Sequence, residues 1–260
     1  RGVPFQILKD EEISRQIALA AHYGKDRVRR VFLADGDALV LPTAKLLKIL
    51  QALRDTFPKL QRVSSYAAPK DILRKSEEEL RQLKEAGLQL LYYGMETGDD
   101  ITLKAVNKGV NGEEAVEAGR RVTASGMKLS IMVILGLAGK EGSKRHALET
   151  AKAINIIQPT MWSALCLMLY RGSELLDQFE RGEFNPLSPA ECMEELYTIM
   201  ENVNLPEDKH CLFRSNHISN YIPLAGTLPK DKQRLLREIK YSAQELSKVK
   251  HWDVYNNTEY

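Results

Sequence analysis

Cysteine is scarce. Cys166, Cys192 and Cys211 are the three in 260 residues, and no two form a C-x-x-C pair. That spacing offers neither a zinc site nor a disulfide framework, and dispersed free thiols fit a reducing, cytoplasmic setting. Apolar runs are short, such as Ile131-Met132-Val133-Ile134-Leu135, well below the roughly 18 residues of a membrane span. Charge of one sign is lacking too: 37 Lys+Arg against 35 Asp+Glu leaves +2. Such a balance supplies no global field toward nucleic acid or an anionic membrane. The histidines form no H-x-x-x-H pair, and no hydrophobic leader opens the chain. The opening Arg1-Gly2-Val3-Pro4-Phe5 reads as the interior of a longer sequence, with a segment expected before it.

Apolar residues make up 43% of the chain, enough to bury one large core or two small ones. Short apolar runs alternate with amphipathic stretches. Strands are predicted to start near residues 28, 60, 89, 128 and 161. Helices are predicted over Asp10–Tyr23, Thr43–Phe57, Ser76–Ala86, Asp100–Val106, Gly112–Ser125 and Lys144–Ile157. Thr43 reads as an N-cap. Ser76-x-x-Glu79 reads as a capping box, and Gly87 and Gly126 as helix stops. Five strand–helix units in series imply right-handed crossovers and a parallel sheet. An eight-unit barrel needs about 250 residues, whereas these units end near residue 170. The rest reads as helices over Ser188–Val203 and Pro229–Val249, with an irregular stretch Cys211–Gly226 between them. We therefore divide the chain into an incomplete barrel over 1–170 and a mostly helical extension over 171–260.

Parallel α/β folds gather ligands at the carboxyl ends of their strands. The first strand ends at Asp35-Gly36-Asp37, where carboxylates can accept hydrogen bonds from an amine or hydroxyls, or cap the next helix. The second ends at Ser64-Ser65-Tyr66. The third ends at Glu96 between Gly94 and Gly98, a carboxylate suited to a ribose diol or to a helix N-terminus. Lys108, twelve residues on, can pair with a ligand carboxylate or stand in solvent. The fourth strand runs into Gly136-Leu137-Ala138-Gly139-Lys140-Glu141-Gly142-Ser143. That loop fails both G-x-x-x-x-G-K-[ST] and G-x-G-x-x-G, leaving close approach to a flat ligand or a tight turn. Phe213-Arg214-Ser215-Asn216-His217 is the most polar cluster of the extension and a candidate cover for the barrel mouth.

Four of these pieces together resemble the radical S-adenosylmethionine (SAM) superfamily, nearest the branch of oxygen-independent coproporphyrinogen oxidase. They are Phe32-Leu33-Ala34-Asp35-Gly36-Asp37, Tyr93-Gly94-Met95-Glu96-Thr97-Gly98, Val106-Asn107-Lys108-Gly109 and Val133-Ile134-Leu135-Gly136-Leu137. The resemblance implies a partial (β/α)6 TIM-like barrel holding SAM across its strand tips. It implies that Asp35, Gly36 and Asp37 meet the methionyl amine, with Ser65 at the next tip. Glu96 would take the ribose hydroxyls and Lys108 the SAM carboxylate, while Ile134 and Gly136 would lie against the adenine.

The family's C-x-x-x-C-x-x-C motif is absent from the sequence, and the cysteines holding a 4Fe–4S cluster are expected upstream of Arg1. With such a cluster, the resemblance implies reductive cleavage of SAM to methionine and a 5′-deoxyadenosyl radical that takes hydrogen from an unidentified substrate, a small molecule or one of unknown kind. A flavodoxin- or ferredoxin-like electron donor is implied, with no membrane and no nucleic-acid partner. Without the cluster, the chain would be a SAM- or nucleotide-binding module. A barrel lyase or aldolase would need a Schiff-base lysine or a metal cluster inside the barrel, and the fourth strand offers only Lys128, at its wrong end.

Overall fold

The computed structural model describes residues 6–249. Its elements in chain order are α1 (Asp10–Gly24), β1 (Arg30–Asp37), a 3₁₀ turn (Ala38–Val40), α2 (Thr43–Thr56), β2 (Arg62–Ala67), α3 (Pro69–Leu73), α4 (Glu77–Glu85) and β3 (Leu88–Glu96). They continue with α5 (Asp100–Ala105), α6 (Gly112–Ala124), β4 (Lys128–Leu135), α7 (Gly139–Ile157), β5 (Met161–Cys166), α8 (Glu174–Glu180), α9 (Pro189–Asn202), β6 (Cys211–Ser215), β7 (Leu224–Leu228) and α10 (Lys232–Leu246). The strands form one sheet in sequence order, with β1 to β6 parallel and β7 antiparallel to β6. Short crossovers of one hand wind it into a partial α/β barrel.

The helices start where local chemistry satisfies their free N–H groups. Ser76 with Glu79, Asn111 with Glu114, and Ser188 with Glu191 each form a reciprocal capping box. Thr43 is not a cap: it is the first helical residue after Pro42, and its hydroxyl donates to Glu79 Oε1 at 2.6 Å. Gly87 and Gly126 end helices in the left-handed region, as expected. α7 begins at Gly139, five residues before its predicted start, because its early glycines pack closely instead of breaking it.

The stretch 211–226, read as irregular, instead supplies β6 and most of β7. β6 is five residues long and alternates buried Cys211, Phe213 and Ser215 with more open Leu212 and Arg214; the charged and polar residues on its open side hid the period. Through β6, the sheet and its apolar layer cross residue 170, where the sequence reading divides the chain.

The two faces of the sheet differ. Val63, Leu91, Tyr93, Leu129, Ile131, Val133, Trp162 and Phe213 point outward and are fully buried under the helices, each large apolar side chain contributing about 1.5–3 kcal/mol. The alternate residues Phe32, Tyr66, Tyr92, Met132, Ile134, Ser163 and Leu165 point to the barrel interior and stay partly or largely exposed. There the rings of Phe32, Tyr66 and Tyr92 meet at centroid distances of 4.9, 5.6 and 6.2 Å.

Candidate functional site

The β3 tip is built by a backbone irregularity. The β3–β4 register slips between Gly94 and Glu96, and Glu96 adopts φ 68°, a conformation that costs a non-glycine residue on the order of 1–3 kcal/mol. The Thr97 amide closes a three-residue turn on the Met95 carbonyl at 2.8 Å. The turn folds Glu96 back above Gly94, where a Cβ would lie 3.3 Å from Glu96 Oε1 and 3.5 Å from Lys108 Nζ. Lys108 arrives from the α5–α6 connection, flanked by Asn107 and Gly109 in the left-handed region. That connection is tied by the Gly112 amide on Asp100 Oδ1. Lys108 Nζ donates to Glu96 Oε1 at 2.5 Å, and both side chains keep access to solvent.

The other residues singled out from the sequence are placed differently. The β1–β2 register breaks between Leu33 and Asp37, so Ala34, Asp35 and Gly36 loop out, exposed, with Asp35 at φ 64° and Gly36 at φ 139°. Asp37 returns to the tip but caps the chain: it accepts from the Leu39 amide at 2.7 Å and the Ala68 amide at 2.6 Å. Burial, with buried Asp71 beside it, pushes its carboxyl up to about 6. Ser65 faces the helices, fully buried, and donates to the Tyr66 carbonyl at 2.9 Å; its neighbours Ser64 and Tyr66 occupy the interior side. Ile134 lies on the interior face beside Leu165.

Gly136 belongs to a tight turn. Its φ is 80°, and its N–H donates to Glu195 Oε1, from α9, at 2.7 Å. A Cβ on Gly139 would come within 3.1 Å of the Asn185 carbonyl, so these glycines admit the segment before α9. Glu195 also accepts from Ser143 and lies 3.5 Å from His146 Nε2. Burial pushes the Glu195 carboxyl up to about 7 and the His146 imidazole down to about 4.

The structure thus brings Glu96 and Lys108 together and spends Asp37, Ser65 and Gly136 on backbone bonds. A cavity of about 320 Å³ lies on the interior face, lined by Tyr92, Ser130, Met132, Ser163, Ala164, Leu165, Arg214, Asn216 and His217. Strand alternation carried a signal for the first of these, but the rule of strand tips looked past it. The polar cluster at 213–217, a candidate cover for the barrel mouth by sequence, places Arg214, Asn216 and His217 in the cavity wall.

The donors for an iron–sulfur cluster do not converge here. Among the described residues no group of three His, Cys, Asp or Glu side chains is placed to hold a metal. Cys166, Cys192 and Cys211 are buried. Burial pushes the Cys211 thiol up to about 12, which disfavours the thiolate that ligation needs. Arg1–Phe5, next to the expected motif, lies outside the described residues. No described helix is long and apolar enough to cross a membrane.

Comparison with known proteins places this geometry in context. The model of the radical SAM superfamily matches residues 1–150, more than half of the 260. A tRNA uridine(34) acetyltransferase of Methanocaldococcus infernus is 26% identical over 172 residues, covering 65% of this chain and 31% of that protein. The heme chaperone HemW of Bacillus subtilis is 22% identical over 182 residues, covering 69% of this chain and 47% of its own. The chain thus spans 31% to 47% of the length of these curated relatives. The solved structure of coproporphyrinogen III oxidase (HemN) from Escherichia coli superposes with a TM-score of 0.57 at 14% identity, over 84% of this chain and 56% of that one. At that identity the likeness is one of fold.

Proposed function

The chain belongs to the radical SAM superfamily, and from that premise we propose that it forms the SAM-binding barrel of an enzyme acting by radical chemistry on a small molecule. In this family SAM, beside a 4Fe–4S cluster, supplies a 5′-deoxyadenosyl radical that takes hydrogen from the substrate. The described residues offer no ligands for that cluster, so no step is routed through it.

The observation that carries the reading is the Glu96–Lys108 pair standing over the gap at Gly94. A bound SAM opens the pair. Its ribose diol donates to the Glu96 carboxylate, and its own carboxylate takes the Lys108 ammonium. Ile134 and Met132 present apolar surface beside this tip, where a flat base excludes water. Asp35 and Gly36 lie on an outward loop free to approach a methionyl amine. Asp37, Ser65 and Gly136 hold the tips in shape, a structural part distinct from the contacts the sequence suggests. The reductant is of flavodoxin or ferredoxin type, delivering one electron.

Calorimetric titration of the chain with SAM tests this. Glu96→Ala should weaken binding about tenfold or more, while Glu201→Ala, on exposed α9 surface, leaves it unchanged. Equal affinities would remove the ribose assignment. Anaerobic iron–sulfide loading of the full-length protein, then dithionite and SAM, should release 5′-deoxyadenosine. Binding without release from a cluster-loaded sample would make the protein a SAM-binding module instead.

A further inference from the structure

The interior cavity is bordered by Arg214, an exposed cation that no carboxylate among the described residues neutralises. Arg214 is in register beside Ser163 on the β5–β6 ladder, on the interior face. Its sole hydrogen bond runs from Nη1 to the neighbouring Phe213 carbonyl at 2.7 Å, and among the described residues no carboxylate pairs with it. Among the described residues, neither Asp nor Glu lines the cavity.

The wall beside Arg214 is held in place by its own bonds. Asn220 donates from Nδ2 to the Ala164 carbonyl at 2.8 Å and to the Ser215 hydroxyl, pinning the loop after β6 to β5. Ser215, at the end of β6, and Ser219, in that loop, are both buried. The Ser219 amide donates to His217 Nδ1 at 3.2 Å, so Nδ1 acts as the acceptor and the ring carries its proton on Nε2. Arg214, His217, Asn216 and Ser163 therefore bring N–H and O–H donors to one wall.

A guanidinium fork with neutral donors around it matches a planar or tetrahedral oxyanion. At about 320 Å³ the cavity lies at the small end of the roughly 300–1,000 Å³ typical of small-molecule pockets. We propose that Arg214 anchors a carboxylate or phosphate group of the substrate, with Asn216 and His217 completing the subsite. This rests on reading the interior face as the substrate chamber of the SAM barrel.

The probes are inorganic phosphate and glutarate, titrated separately into the full chain and followed by calorimetry. One of them should bind the wild type, and the preference between them names the group. Arg214→Ala should weaken that binding about tenfold or more, and Arg214→Lys, which keeps charge and loses the fork, by less. Arg171→Ala, at an exposed arginine outside the cavity, should change nothing. Equal affinity in wild type and Arg214→Ala overturns the proposal, as does no binding of either anion by the wild type up to about 50 mM. SAM is titrated into the same samples. Arg214→Ala should bind SAM as the wild type does, and a weakened SAM affinity would overturn the proposal by placing Arg214 on the cofactor. Failure of the wild type to bind SAM would sink the radical SAM reading and leave the anion result standing for the cavity.

Discussion

The two faces of the one sheet have divided their tasks. Outward-facing side chains from β2 to β6 are buried and mostly apolar, with Ser65 and Ser215 the hydroxyls among them, while several of their neighbours facing the interior keep rings, a hydroxyl, a thioether and a guanidinium partly open. The outer face decides whether the chain folds, and the inner face what it touches. Phe213 and Arg214 are the sharpest instance, consecutive residues on opposite sides of β6.

That pair gives the largest test. Phe213 is fully buried, 4.5 Å from the Trp162 ring, so Phe213→Ala should cost about 3–5 kcal/mol. Arg214→Ala should stay within about 0.5 kcal/mol, both read from urea unfolding. Equal losses would break the division of faces.

Next in size is the carboxylate behind the β4 turn. Burial holds Glu195 up near 7 in the folded chain, above its ordinary 4.5. The folded state therefore disfavours its charged form, and wild-type stability is eroded as pH rises from about 4.5 through 7. Glu195→Gln, which keeps an acceptor for the Gly136 amide, removes that penalty. It should match the wild type below about pH 4 and exceed it by about 3 kcal/mol at pH 8. His146, pushed down to about 4, works in the opposite sense over an overlapping range, so the measurement is variant against wild type at each pH. A constant difference would mean Glu195 does not titrate with folding.

Smaller effects sharpen the contrast. Ser188→Ala removes the cap of α9 and should cost about 1 kcal/mol. Ser65→Ala loses a bond behind the sheet worth about 1 kcal/mol and should leave SAM affinity untouched. A changed SAM affinity would move Ser65 to the interior side of the comparison.

The sequence reveals the outer face well because burial there is periodic. The run Lys128–Leu135 matches β4 residue for residue, and Ser76-x-x-Glu79 matches its capping box. Side-chain targets of hydrogen bonds are less legible. Asp37 and Gly136 stand where a ligand would be met, yet Asp37 is taken by Ala68, 31 residues away, and Gly136 by Glu195, 59 away. Nothing local announces such partners. Glu96 and Lys108, twelve residues apart, are legible as residues but not as partners, since their meeting depends on a register slip and three left-handed residues, Glu96, Asn107 and Gly109.

The clamp of Glu195 on the Gly136 amide also bears on synthesis. A chain made from its N-terminus finishes β4 some sixty residues before the side chain that secures its outgoing turn exists. At about 5–20 residues per second, the ribosome leaves that turn without its partner for several seconds. The carboxyl end of β4 is thus completed late, after α9 has emerged and docked.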